Sequence, residues 1–284
     1  MRGRHLVNGR APRSARATAL ISTLISTLIA ATALVGVAPA GAAHAAAKKP
    51  APLTILVTND DGVAAPGIDA VVEALRTDKR NKVVVVAPAT NNSGAGGKST
   101  PGGAPGGPAT TASGYAATAV QGYPADAVDY AFDVMHLTPN VVVSGANFGQ
   151  NLGPFVDVSG TVGAAREGAR RGVPALAVSQ QLGDAPDYPT SARLAVDWVQ
   201  ARRRALARTK AGAALTEIDS INAPNCPAGR IRGVYESTAA PGPGTEAAIR
   251  TVAECASTAT TFANDVEAFN AGYATLTKVP VHAA

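Results

Sequence analysis

After residue 52, short apolar runs alternate along the chain with longer segments that have helical spacing. Four runs are rich in β-branched residues and show almost no polar alternation: Leu53–Thr58, Val83–Ala87, Val141–Ser144 and Ala175–Val178. Runs of this kind are typical of strands that are buried on both faces of a parallel sheet. The hydrophobic pattern therefore predicts a central, mainly parallel sheet.

The segments between these runs have the spacing of amphipathic helices. Apolar residues recur at i, i+3, i+4 and i+7 from Ile68 to Leu75, and Pro66 suits the first turn of that helix. Further helices are expected over Ala125–Met135, Gly160–Arg171 and Ser191–Arg208. Strands that alternate with helices predict right-handed βαβ units and a doubly wound α/β fold.

Two parts of the chain depart from this alternation. The segment from Thr90 to Gly114 is rich in glycine, contains three prolines and has almost no large apolar residue, so it is expected to be a long, mobile loop. Beyond Ile218–Asn222 the pattern weakens. Gly233–Glu236 and Tyr273–Val281 are predicted to be strands, which we expect to form a hairpin arm outside the main sheet.

The N-terminus has the order of regions found in a secretory signal peptide. Five arginines precede residue 17, an uncharged run extends from Ala17 to Ala47, and Ala43-His44-Ala45 supplies a cleavage sequence. We therefore expect a signal peptide over residues 1–45, a linker over 46–52, one domain over 53–284, and a secreted protein without stable membrane insertion. An uncleaved anchor helix is the alternative, because the run is long enough to span a bilayer.

Charge and cysteine content are consistent with export of a neutral domain. Without residues 1–45, the 20 basic and 20 acidic side chains balance, which gives no support for binding a nucleic acid polymer. The two cysteines, Cys226 and Cys255, would form a disulfide in an oxidising compartment. Two free buried thiols are the alternative.

Polar residues follow the predicted strands, at the sheet edge where doubly wound folds bind ligands. Asp60 and Asp61 come directly after the first strand. Adjacent carboxylates of this kind suit Mg²⁺ or Mn²⁺, although Asn, Asp and Gly also favour a simple turn here. Ser93 supplies a hydroxyl at the carboxyl end of the second strand, and an ordinary loop serine is the alternative. The nearby Gly97-Lys98-Ser99 lacks the spacing of a phosphate-binding loop.

The third strand is followed by amides and then by a helix start. Asn147 and Asn151 alternate with glycines, which allows backbone and side-chain amides to converge on an oxygen-rich ligand. Ser159-Gly160-Thr161 then opens a helix, whose free N–H groups and two hydroxyls would bind phosphate. N-capping by Ser159 is the plain alternative.

Together these loops predict a divalent metal beside a phosphate site, which suits metal-assisted hydrolysis of a phosphate monoester. A histidine-rich zinc site is not indicated, since the chain has four histidines and two of them, His5 and His44, precede the domain.

Several longer motifs resemble the SurE survival protein family of 5′/3′-nucleotidases. They are Ile55-Leu-Val-Thr-Asn-Asp-Asp-Gly62, Asn91-Asn92-Ser93-Gly94, Gly122-Tyr-Pro-Ala-Asp-Ala-Val128, Val142-Val-Ser-Gly-Ala-Asn147, Ser159-Gly-Thr-Val162 and Gly172-Val-Pro-Ala-Leu-Ala-Val-Ser179. The resemblance covers about Leu53 to Ser179 well and the later segments more loosely. The chain departs from the family pattern at Gly96, Phe148, Pro154 and Val158.

The resemblance implies a Rossmann-like domain with a C-terminal extended hairpin and a homodimer or homotetramer. It implies a 5′-nucleotidase that hydrolyses nucleoside 5′(3′)-monophosphates. A divalent cation would be bound by Asp60, Asp61, Ser93 and Asn147, and the substrate phosphate by Asn151, Ser159, Gly160 and Thr161. A secreted nucleotide- or phosphate-binding module of the same fold, without turnover, is the alternative.

Overall fold

One mixed sheet of nine strands forms the centre of the protein. The computed structural model describes residues 51–210, 212–226, 230–242, 245–249 and 252–281. Along the sheet the strands lie in the order β3-β4-β2-β1-β5-β6-β7-β9-β8. Their bounds are β1 Leu53–Thr58, β2 Asn81–Pro88, β3 Gly106–Thr110, β4 Ala116–Val120, β5 Val141–Phe148, β6 Ala175–Gln180, β7 Glu217–Ala223, β8 Val234–Ser237 and β9 Ala274–Pro280.

Helices connect most of these strands. Their bounds are α1 Pro66–Arg76, α2 Pro124–Asp129, α3 Gly160–Arg170, α4 Tyr188–Leu206, α5 Glu246–Ile249 and α6 Asp265–Asn270. A π-helical turn over Tyr130–Val134 extends α2, and a 3₁₀ turn over Gly153–Asp157 precedes α3. Pro66 and Pro124 lie in the first turns of α1 and α2, where a missing N–H costs little.

The predicted α/β fold with a doubly wound, mainly parallel sheet is confirmed. From β4 to β7 all neighbouring strands pair in parallel. Because successive side chains of a strand point to opposite faces, Ile55 and Val57 pack in the core that contains α1 and α4, whereas Leu56 packs in the core that contains α2 and α3. The unbroken apolar runs are explained by helices on both faces.

The two C-terminal strands belong to the main sheet, so the prediction of a hairpin arm outside it is wrong for the described residues. β9 pairs antiparallel with β7, with Ser220 opposite Thr277, and β8 pairs parallel with β9, with Val234 opposite Ala274. A hairpin requires antiparallel neighbours joined by a short turn. Here α5 and α6 lie between β8 and β9 and return the chain in the same direction.

The segment from Thr90 to Gly114 is partly ordered as β3, which corrects the expectation of a long, mobile loop. Residues of β3 pair antiparallel with β4 at one edge of the sheet. Backbone pairing needs no large side chains, and Gly106 allows the strand to lie against Tyr130, since a Cβ there would come within 2.8 Å of its ring. Thr100 also donates two hydrogen bonds to Asp126, at 2.7 and 2.6 Å.

Cys226 and Cys255 are joined in a disulfide.

The expected signal peptide over residues 1–45 lies outside the described residues, as does most of the linker. Within the part of the chain that the structure describes, every helix is too short or too polar to cross a membrane.

Candidate functional site

A cavity of about 280 Å³ opens at the carboxyl edge of the sheet, beside the ends of β1 and β5. Five of the predicted site residues line it: Asp60, Ser93, Asn147, Asn151 and Ser159. They come from four separate segments of the chain, which the parallel strand order brings to one edge. We call this space the first cavity.

Asp60 lies at the floor of the first cavity, with only 2% of its surface exposed. The hydroxyl of Thr161 donates a hydrogen bond of 2.6 Å to its Oδ1. Burial raises the pKa of the Asp60 carboxyl to about 6, and the negative charge of Asp61 adds to this effect, whereas the Thr161 hydrogen bond opposes it. A bound cation would remove the electrostatic cost of burying this carboxylate.

Asp61 faces a neighbouring space of about 490 Å³, which we call the second cavity. The backbone N–H of Phe148 donates a 2.8 Å hydrogen bond to its carboxylate. Burial raises the pKa of Asp61 as well. The two adjacent carboxylates therefore open onto different cavities, and Phe148 lines both.

Asn147 presents an oxygen that lacks a partner. Its Nδ2 donates to the carbonyl of Gly149 at 2.6 Å, which turns the amide so that Oδ1 is a buried acceptor without a hydrogen bond. An orphaned buried acceptor on the wall of a polar cavity is costly unless a ligand satisfies it. This oxygen and the carboxylate of Asp60 line the same cavity and are hard donors of the kind that Mg²⁺ or Mn²⁺ prefers, whereas the carboxylate of Asp61 lines the adjoining cavity.

The donor set is sparse. Among the described residues, no three of His, Cys, Asp and Glu cluster closely enough to enclose a metal ion. Two carboxylates with neutral oxygens fit a cation that keeps several waters, as Mg²⁺ does, better than a closed structural zinc site.

The predicted phosphate residues occupy two different positions. Asn151 and Ser159 line the first cavity, whereas Thr161 and Gly160 lie against Asp60. The hydroxyl of Ser159 accepts a hydrogen bond from the N–H of Val162 at 3.2 Å, so it does cap α3. Because α3 has eleven residues and begins at the cavity, its N-terminal dipole also favours an anion there.

Two glycines of α3 allow this helix to approach the site. A Cβ at Gly160 would lie 2.7 Å from the Cβ of Asp60, and a Cβ at Gly163 would lie 1.9 Å from the carbonyl oxygen of Gly96. The second contact joins α3 to the segment that carries Ser93. Only residues without a side chain fit at these two positions unless the backbone moves.

Sequence reasoning missed the apolar wall of the first cavity. Phe148, Leu182 and Ile249 line it, and the first two are 46% and 55% exposed. Gln150 links two residues of this wall: its Nε2 donates to the carbonyl of Ile249 at 2.6 Å, and its Oε1 accepts from the N–H of Leu182 at 3.0 Å. The departures from the family pattern at Phe148 and Val158, which both line this cavity, were the signals in the sequence. Neither Lys nor Arg is among the described residues that line either cavity.

The fold and the cavities define a doubly wound α/β protein with an oxygen-rich ligand site at the carboxyl edge of its sheet. The chain belongs to the SurE family: the family described as "Survival protein SurE" matches residues 55–241.

Individual relatives agree with this assignment. The chain is 40% identical over 176 residues to a protein of Methanopyrus kandleri named 5′-nucleotidase SurE, covering 61% of this chain and 67% of the relative. It is 40% identical over 183 residues to a 5′/3′-nucleotidase SurE of Yersinia pseudotuberculosis, covering 64% and 67%. The crystal structure of the SurE protein from Aquifex aeolicus superimposes with a TM-score of 0.63 at 27% identity, covering 81% of this chain and 94% of that one.

Proposed function

We propose that this protein is a divalent-metal-dependent 5′-nucleotidase, which hydrolyses nucleoside 5′(3′)-monophosphates to nucleoside and phosphate. The relatives at 40% identity are named nucleotidases, and this chain retains the polar residues of the family motifs at one sheet edge. The observation that carries the proposal is the unpartnered Oδ1 of Asn147, buried beside Asp60 in a cavity lined with oxygen donors.

Asp60, Asp61, Ser93 and Asn147 would hold the cation. When bound, a divalent cation neutralises phosphate charge and lowers the pKa of a coordinated water, which supplies a nucleophile at neutral pH. Since no described residue of the cavity lining is Lys or Arg, this described part of the lining offers little positive charge to a phosphate. Turnover should therefore depend strongly on the metal.

The phosphate would lie at the start of α3. The Nδ2 of Asn151 already donates to Ser179 Oγ at 2.9 Å and has one further N–H for a ligand. The N-terminus of α3 behind Ser159 offers backbone N–H groups and a favourable dipole. Thr161 would not contact the phosphate directly, because its hydroxyl is directed to Asp60. Gly160 provides the room for that contact.

Phosphate release from nucleoside monophosphates by the purified protein tests the proposal, with Mg²⁺, with Mn²⁺ and with EDTA. Release that requires metal and that is lost in Asp60→Asn is the expected result. Nucleotide binding without release would support the binding module in place of the enzyme.

We propose also that the protein is exported. The arginine-rich start, the uncharged run and the Ala43-His44-Ala45 sequence support export, and a disulfide between Cys226 and Cys255 is consistent with an oxidising compartment. Mass spectrometry of the protein from the culture medium should find a mature N-terminus near residue 46. Protein confined to the cytosol, with residues 1–45 retained, would contradict export.

The family resemblance supports a homodimer or homotetramer. Light scattering of the purified protein measures the assembly mass directly, and a monomer at micromolar concentration would contradict this part of the proposal.

A further inference from the structure

The connection between β6 and α4, residues 181–187, forms a wall of both cavities. Leu182 lines the first cavity, and Gly183, Asp184 and Pro186 line the second. The segment has no regular secondary structure, so hydrogen bonds from neighbouring segments must set its position. We call it the 181–187 loop.

The side chain of Asn225 makes three of those hydrogen bonds and a fourth to the end of β6. Its Nδ2 donates to the carbonyls of Gln181 at 3.0 Å and Leu182 at 3.4 Å. Its Oδ1 accepts from Gln180 Nε2 at 2.7 Å and from the N–H of Asp187 at 3.3 Å. One half-buried side chain thus binds both ends of the loop. Gly183 lies so close that a Cβ there would come within 2.9 Å of Asn225 Nδ2.

The disulfide holds Asn225 in place from the other side. Cys226 follows Asn225 directly and is bonded to Cys255, whose Sγ lies 3.7 Å from the Asn225 carbonyl oxygen. Gly272 packs against Cys255, where a Cβ would lie 2.6 Å from the Cys255 Cα. The chain after β7 is therefore anchored next to the residue that positions the loop.

The loop contributes no predicted metal or phosphate ligand. Leu182 and Pro186 are apolar, and Asp184 is an acid that would repel phosphate but accept hydrogen bonds from hydroxyl groups. Its chemistry suits the uncharged sugar and base of a nucleotide. Resting on the function proposed above, we propose that the 181–187 loop binds the nucleoside part of the substrate and that Asn225, fixed by the Cys226–Cys255 disulfide, is its positioning residue.

The test compares two substrates in the full chain with saturating metal: a nucleoside monophosphate and p-nitrophenyl phosphate, which carries no sugar or base. In Asn225→Ala the KM for the nucleotide should rise about tenfold, because the loop is displaced, while kcat stays within about twofold. The kinetic constants for p-nitrophenyl phosphate should not change. The Cys226→Ser/Cys255→Ser double variant should also raise the KM for the nucleotide, by a smaller factor.

Asn140→Ala is the matched control. Asn140 is also half-buried and its Oδ1 accepts from the N–H of Thr54 at 2.8 Å, but it lies at the opposite edge of the sheet. The Asn140→Ala variant should have a lower unfolding temperature, but its KM for each of the two substrates should not change. If Asn225→Ala fails to fold, Leu182→Ala at the cavity wall replaces it and should raise the nucleotide KM alone.

Equal losses on both substrates, or no change in the nucleotide KM, would overturn the inference and leave the proposed nucleotidase function standing. If the unaltered protein hydrolyses neither substrate, the proposed function fails and this inference fails with it.

Discussion

The hydroxyl of Thr161 donates a 2.6 Å hydrogen bond to the carboxylate of Asp60 and so joins the first turn of α3 to the end of β1. The two residues belong to the phosphate-binding and metal-binding halves of the predicted site. Their contact means that the halves are not independent, because a side chain in the first turn of the predicted phosphate-binding helix also orients a predicted metal-binding carboxylate. Both residues are buried, so water does not compete for this hydrogen bond.

Thr161→Val keeps the size of the side chain but removes the donor. We expect metal affinity, measured from the metal dependence of phosphate release, to fall by about 10- to 100-fold, as is typical when a group that orients a metal ligand is lost. Thr161→Ser retains the hydroxyl and is the control, with affinity near that of the unaltered protein. Equal behaviour of the two variants would show that the hydrogen bond has no role in metal binding.

Asp60→Asn removes a charge from the floor of the first cavity and keeps an acceptor for Thr161. Loss of a charged metal ligand should lower kcat/KM by about 10³-fold or more, since metal stabilisation of the transition state is worth several kcal/mol. The unfolding temperature without metal should stay the same or rise, because a buried charge is removed.

The control for this variant is Asp197→Asn. Asp197 lies exposed on α4 in an ion pair with Arg193 and does not line either cavity. Calorimetry and steady-state assays of both variants check the prediction. An active Asp60→Asn protein, or an inactive Asp197→Asn protein, would count against the assigned site.

Gly163→Ala should displace the segment that carries Ser93 from α3. The added Cβ would lie 1.9 Å from the Gly96 carbonyl oxygen, and forced packing of this kind costs about 1–3 kcal/mol. Both the unfolding free energy and the activity should fall. In the same segment, Gly97→Ala is the control, since its Cβ would meet only Arg170 Nη2 at 3.8 Å. Similar stabilities of the two variants in urea would refute the close-contact argument.

Asp78, which lies far from the candidate site, should contribute to the stability of the protein in a pH-dependent way. Hydrogen bonds from Arg80 above all, then from Gln200, and the charge of Arg203 hold the pKa of this carboxyl well below its ordinary value of 3.8. A folded-state pKa below the unfolded value stabilises the protein above about pH 4, and this contribution is lost as the pH falls further.

Asp78→Asn should therefore cost about 1–3 kcal/mol at pH 7, where hydrogen bonds to a charged group are lost. The difference from the unaltered protein should shrink as the pH is lowered from 5 towards 2. Urea unfolding across this range measures it, and a difference that is constant with pH would contradict the assignment. Phosphate release at pH 7 should not change, because Asp78 lies between α1 and β2 at the amino edge of the sheet.

The positions of the site residues relative to the strands and helices in the sequence explain what could be predicted about the candidate site. Asp60, Ser93 and Asn151 follow strands, Asn147 lies near the end of β5 and Ser159 precedes a helix, so their convergence in one cavity follows once the sheet is parallel. The direction of the Thr161 hydroxyl, the orphaned oxygen of Asn147 and the separation of Asp61 into a second cavity could not be predicted. They depend on where α3 and the Phe148 backbone lie in three dimensions.

Hydrophobic patterning was sufficient for the parallel centre of the sheet, because a strand covered by helices on both faces must be continuously apolar, as Leu53–Thr58 is. It was insufficient at the margins. β3 is held by backbone hydrogen bonds that leave no trace in side-chain composition, and the pairing of β9 with β7 joins segments far apart in the chain. The position of the 181–187 loop could not be predicted from the sequence either. Asn225 has no local sequence pattern that marks it, because its hydrogen-bond partners lie at the end of another strand and contact it only in the folded protein.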